Sequence, residues 1–241
     1  LLNPKAITVT GTSITSNIGD GEIYDAEVIK KFDSPLQKEA GIAVLRGNIA
    51  PLGAVIKPAA ASPSLLKHSG PALVFESIED FHARIDSDDL DVTADSVLIL
   101  RGCGPQGYPG MPEVANMKIP GKLVSQGVTD MVRVCDGRMS GTAYGTVILH
   151  VAPESAAGGP LSKIKSGDII ELDVAARTLN VKLSDSELAS RATSPVTEKA
   201  YANPERGWQR MYIDHVMQAD TGADLDFLRG SSGSDVSRES H

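Results

Sequence analysis

Residues 102–145 read GCGPQGYPGMPEVANMKIPGKLVSQGVTDMVRVCDGRMSGTAYG, and most of the side chains able to do chemistry lie in or beside them. Glu113 sits in a Gly/Pro-rich loop. A carboxylate there can ligate a hard cation such as Mg²⁺, or it can be a first-turn acid following Pro112 at a helix start. Ser140 occupies the compact turn Asp136-Gly137-Arg138-Met139-Ser140-Gly141-Thr142, where flanking glycines allow its hydroxyl to be exposed. It is either a turn serine bonded to its own backbone or a reactive hydroxyl. A nucleophile would need a base, and His150 lies ten residues on, after a strand that carries it away. Asp136 and Arg138 can form a local ion pair, or Arg138 can hold an anionic substrate through its planar fork. His150 and Glu154 have the i, i+4 spacing of a helical metal pair, but Pro153 between them argues against a helix and so against a zinc site. Asn48, in Gly-Asn-Ile-Ala-Pro, and residues 57–62 have the composition of turns that can line a pocket.

Such loops need a frame. Short aliphatic runs bounded by Gly, Pro or Asp recur at residues 42–46, 54–57, 72–76, 97–101, 131–134, 146–151, 168–174 and 178–183, and these eight are predicted strands. Helices are predicted after Ser62-Pro63, after Ser77 with Asp80 completing a capping-box pattern, and over 120–126 and 186–192. A further amphipathic helix over 207–218, with Trp208, Met211, Tyr212 and Val216 on one stripe, is expected to dock on a neighbour. Residues 1–40 carry no strong core period and are read as a linker or extension, residues 41–228 as the folded domain, and residues 229–241 as a polar, frayed tail. A closed barrel flanked by short helices buries eight short strands without leaving edges.

Composition narrows the function. With 41% hydrophobic but only 4% aromatic residues, the core is expected to be aliphatic, and 23 Gly and 14 Pro favour strands and turns over long helices. A net charge of −8 argues against a nucleic-acid groove. There is no apolar run of membrane-spanning length and no signal-peptide pattern, so a cytoplasmic or organellar location is expected. Cys103 and Cys135 make no disulfide framework and cannot alone supply four cluster thiolates; each reads as a small buried thiol.

Four motifs, LRGNIAP at 45–51, GPQGYPGMPE at 104–113, DGRMSGT at 136–142 and HVAPESAAGGPL at 150–161, occur in the order found in the dihydroxy-acid, phosphogluconate and sugar-acid dehydratases, and the chain resembles the C-terminal part of that family. The resemblance implies an α+β, β-rich fold, a swivelling β/β/α domain around a roughly eight-stranded barrel. It implies removal of water from a 2,3-dihydroxy acid to give a 2-keto acid, with Mg²⁺ and a 2Fe-2S cluster as cofactors. Ser140 matches the base that removes the C2 proton, Glu113 a Mg²⁺ ligand, and Thr142 a position that helps hold the substrate, with Arg138 and Asn48 read from their loops as further substrate-binding candidates.

The same resemblance places the cluster cysteines, a modified lysine and other acidic metal ligands in an N-terminal domain of the same protein. This chain alone is therefore expected to be inactive, and the whole enzyme to be a homo-oligomer. The run MSGTAYGTVILHVAPES looks closer to the sugar-acid branch than to the branched-chain amino-acid branch, so an aldonate is favoured over dihydroxyisovalerate. The competing readings are a barrel that binds small carboxylates without turnover and a serine hydrolase, which would need a His and an acid converging on Ser140.

Overall fold

The structure, a computed structural model, describes residues 3–38, 41–194 and 204–230. The chain forms two compact units, Leu1–Ala40 and Gly41–His241. In the first, one short helix, α1 (Ile14–Ile18), is capped by the Ser13 hydroxyl accepting from Ser16 N, and Ile7 bridges to Ser13. Its apolar side chains stay largely in water, Tyr24, Phe32 and Leu36 among them.

The second unit is a closed barrel of eight strands: β1 (Ala43–Gly47), β2 (Ala50–Ile56), β3 (Lys67–Phe75), β4 (Val97–Leu100), β5 (Arg133–Cys135), β6 (Val147–Ala152), β7 (Ile169–Asp173) and β8 (Thr178–Val181). Every strand expected from the aliphatic runs is present. β2 and β3 begin earlier than their runs, because pairing with β1 and β7 carries the strands through Pro51 and Pro71. Around the barrel the order is β1-β2-β6-β5-β4-β3-β7-β8. The pairs β3/β4, β4/β5, β5/β6 and β1/β8 are parallel and the other four antiparallel. All strands except β2 and β7 therefore run the same way, and their C-terminal ends share one rim.

Strand alternation sorts the core into two layers. On β3 and β4, Ala72, Val74, Val97 and Ile99 point into the barrel, whose filling is wholly aliphatic, while Leu73, Phe75, Leu98 and Leu100 point outward. That outer face is covered by α2 (Ile78–Arg84) and α3 (Gly121–Val124), and Phe81 packs edge-on against Phe75 with ring centroids 5.1 Å apart. Both faces of these strands are buried, so they read as continuous apolar runs.

The helix caps refine the expectations. The Ser77 hydroxyl accepts from Asp80 N at 3.1 Å, but the Asp80 carboxylate turns to Glu76 N and Arg84 instead of closing the box. The complete box is Ser184 with Glu187, opening α4 (Asp185–Ser190). After Ser62 there is only one 3-10 turn, and the Ser62 side chain does not cap it. The expected tail lies largely outside the described residues. Among the described residues no helix is long and apolar enough to cross a membrane.

Candidate active site

Three adjacent parallel strands, β4, β5 and β6, end at the same rim, and a Gly- or Pro-rich loop leaves each. Loops of this kind expose backbone amides that need partners. Asp136, the first residue after β5, supplies them on both sides. It is fully buried, and its carboxylate accepts from Gly102 N (3.1 Å) and Cys103 N (2.9 Å) after β4, and from Ser155 N (2.9 Å) after β6. Burial raises its pKa, and these N–H donors oppose the rise.

A second buried acid, Glu154, accepts from Gln106 N and Gly107 N, each at 2.9 Å, and from the Gln218 side chain. Burial and the charge of Asp136 lift its pKa above the ordinary value of 4.5. Close approach of the loop demands glycine here. A Cβ on Gly104 would lie 2.5 Å from a Glu154 carboxylate oxygen, and one on Gly107 would lie 2.8 Å from the Gly102 carbonyl. Arg101, buried at the end of β4, pairs with Glu76 and donates to the carbonyls of Leu161, Ser162 and Ile164, fixing the same rim from below.

Above this buried foot the loops carry their exposed groups. Arg138 clasps the β5 loop to the β4 loop: Nε donates to Met111 O at 2.6 Å, a terminal nitrogen lies 3.2 Å from the Glu113 carboxylate, and its carbonyl accepts from Ala115 N at 3.0 Å. Two residues on, the Ser140 hydroxyl lies 3.0 Å from that of Thr142. Glu113, Arg138, Ser140 and Thr142 are thus gathered on two loops joined by one guanidinium. Asn48 is on the same rim but three strands around the barrel, and its amide bonds the backbone of Val181 in both directions, at 2.8 and 2.9 Å.

Several sequence expectations are corrected. Asp136 does not pair with Arg138, because its carboxylate is turned inward to three backbone amides and Arg138 takes Glu113 instead. Glu113 stands in a coil, not at a helix start. As Pro153 between them implies, His150 and Glu154 lie on a strand and the turn that follows it and form no metal pair. The last α-helix, α5 (Trp208–His215), leaves Trp208 82% exposed; the contacts come from Val216, which is buried, and from Gln218, whose side chain bonds Glu154. Sequence reasoning missed the anchoring by Asp136 and Glu154. The available signal was an acid placed directly after an apolar strand and facing a glycine-rich loop.

Cys103, Cys135 and Asp136 bring their ligand atoms within 4.8 Å of one another. They do not fit an iron–sulfur cluster. The Asp136 oxygens are taken by backbone N–H groups, and burial, with Cys103 and Asp136 beside it, pushes the Cys135 thiol well up and so keeps it protonated. Glu113 is different. Its carboxylate is half exposed within a long loop, as suits a Mg²⁺ ligand when the ion keeps several waters and takes one or two protein carboxylates.

Residues 27–223 match the family described as dihydroxy-acid/6-phosphogluconate dehydratase, C-terminal. The chain belongs to this family. It is 54% identical, over its whole length, to an L-arabonate dehydratase of Azospirillum brasilense, of which it covers 42%. A 6-deoxy-6-sulfo-D-gluconate dehydratase of Pseudomonas putida is 51% identical over 91% of this chain and 38% of its own. A dihydroxy-acid dehydratase of Methanobrevibacter smithii is 40% identical over 93% and 40% respectively. The chain thus spans about two-fifths of the length of these dehydratases.

Proposed function

We propose that this chain carries the base and one Mg²⁺ ligand of a hydro-lyase that converts a 2,3-dihydroxy acid, with an aldonate favoured, into a 2-keto acid. The observation that carries the reading is the clasp. Arg138 joins the loop bearing Glu113 to the turn bearing Ser140, in a chain of the dehydratase family. Greater identity to the two sugar-acid dehydratases than to the dihydroxy-acid dehydratase supports an aldonate.

In the reaction Ser140 Oγ, as the alkoxide, takes the proton from C2 while the C3–O bond breaks, the departing hydroxide receives that proton and leaves as water, returning Ser140 to the alkoxide, and the enol so formed tautomerises to the ketone. A serine hydroxyl is a weak base until its deprotonated form is stabilised. The Thr142 hydroxyl, 3.0 Å away, donates to the Ser140 oxygen as that charge develops. Glu113 would hold Mg²⁺, which supplies positive charge against the substrate carboxylate and 2-hydroxyl. The cluster and its ligands are assigned to the remainder of the protein, and this chain by itself is expected to turn nothing over.

The test is the whole enzyme on a panel of pentonates, hexonates and dihydroxyisovalerate. Keto-acid formation from an aldonate, lost by at least about a thousandfold in Ser140→Ala and reduced in Glu113→Gln, is the expected result. An active Ser140→Ala enzyme would remove the base assignment. Turnover of dihydroxyisovalerate alone would reverse the substrate choice.

A further inference from the structure

Strain in the barrel unit gathers around Arg138. Among the described residues only Met111, His150, Arg177 and Ala223 are non-glycines with positive φ. Met111 supplies the carbonyl that receives Arg138 Nε, and His150 N donates to the carbonyl of Gly137, the residue before Arg138, at 3.0 Å. Arg177 links β7 to β8 and Ala223 is in a turn, but His150, at φ 54°, interrupts a strand. Opposite it, β2 advances two residues, Gly53 to Val55, while β6 spans three, Ala152 back to Leu149. This is a bulge, and His150 sits in it at the wall of a surface cleft that Arg46, Leu52 and Asp220 also help to line.

The backbone does not need an imidazole there. The bulge is tied by His150 N donating to Gly137 O at 3.0 Å, which any residue can do and glycine can do without strain. The ring brings a second cost, because its Nδ1 is buried and has no hydrogen-bond partner. Left-handed strain and an orphaned ring nitrogen, both beside Arg138 and neither helping the fold, mark the side chain as functional. Burial and the Arg138 charge lower the imidazole pKa, so the ring is neutral and able to accept.

Arg138 now leans on Glu113, the carboxylate assigned above to Mg²⁺. A carboxylate that ligates a dication gives up much of its attraction for the guanidinium, which then requires another acceptor. We propose that His150 is a positioning residue whose Nδ1 takes an Arg138 N–H when Glu113 turns to Mg²⁺, keeping the Ser140 turn seated while the ion is bound. The inference rests on the Mg²⁺ role of Glu113.

It is tested in the whole enzyme by calorimetric Mg²⁺ titration and steady-state kinetics of His150→Gly, His150→Asn and His150→Gln, with Glu113→Gln alongside. The Asn oxygen can stand where Nδ1 stands, and the Gln amide reaches too far. The expected result is that Gly unfolds no earlier than wild type yet binds Mg²⁺ about tenfold more weakly, with kcat falling and KM little changed, that Gln behaves like Gly, and that Asn recovers most of the loss. Wild-type Mg²⁺ affinity in both Gly and Gln, or equal loss in Asn and Gln, overturns the proposal, and the Asn/Gln pair decides it even if Gly does not fold. If Glu113→Gln leaves Mg²⁺ binding unchanged, the ligand assignment fails first. If Glu113→Gln weakens binding and His150→Gly does not, only the role of His150 is lost.

Discussion

The foot and the tip of the same two loops are built on opposite principles. At the foot, Asp136 is fully buried and occupied by three backbone amides from both neighbouring loops. At the tip, four residues later, the Ser140 hydroxyl has the neighbouring Thr142 hydroxyl and open surroundings. Rigidity is concentrated where backbone polar groups must be satisfied out of water, and the reactive groups are held out beyond it. A site made this way can lose its chemistry without losing its fold, and the reverse substitutions do the opposite.

Asp136→Ala should have the largest effect on stability. It leaves three buried N–H groups without an acceptor, for a loss on the order of 4 kcal/mol in urea unfolding. A loss below about 1 kcal/mol would mean that water replaces the carboxylate and that the foot is less rigid than its hydrogen bonds imply. Gly104→Ala comes next, at about 2 kcal/mol, because the new methyl group meets the Glu154 carboxylate and β-carbon at 2.5 and 2.7 Å, and Glu154 is itself tethered. The matched control is Gly141→Ala at the tip, where a Cβ would meet nothing within 4 Å and stability should not change.

Those contrasts also explain what the sequence could disclose. Eight strands were readable because each is a short aliphatic run ended by Gly, Pro or Asp, and an all-aliphatic barrel filling follows from a chain poor in aromatics. The order of strands around the barrel was not readable, since Leu98 facing Arg133 and Gly53 facing Ala152 are set by packing and not by local pattern. Glu113, Arg138 and Ser140 were singled out because polar groups in glycine-rich turns stand out, and the pairing of Arg138 with Glu113 across two loops was not readable. Asp136 was misassigned to a neighbour two positions away because its true partners, Gly102 and Cys103, are more than thirty residues earlier. Trp208 shows the converse error, a helical stripe that predicted docking at a residue left in water.

The pH dependence separates foot from tip more finely. The Glu154 carboxyl is held above 4.5 by burial and by Asp136. As the pH rises from the value at which an unfolded glutamate ionises toward that at which Glu154 does so in the fold, the unfolded chain has lost a proton that the native chain still holds. The unfolded state binds fewer protons, so stability falls with rising pH through that window. Glu154→Gln has no such proton. The stability of wild type relative to this variant should therefore be greatest below pH 4.5 and decline above it, as urea midpoints from pH 4 to 7 will record. A difference that grows with pH would mean that the N–H groups of Gln106 and Gly107 outweigh burial and that Glu154 is ionised at low pH.

Ser140→Ala should have little effect on stability and the largest on chemistry. Its hydroxyl bonds Thr142, two residues away on an exposed turn, so the folded and unfolded chains solvate it similarly and the unfolding midpoint should move by no more than about 0.5 kcal/mol. A loss above about 1 kcal/mol would show that the hydroxyl helps hold the turn, and any loss of turnover in that variant would then have to be shared between misplacement of Arg138 and removal of the base. An unchanged midpoint leaves the turn intact and lets the kinetics of Ser140→Ala report on the oxygen alone.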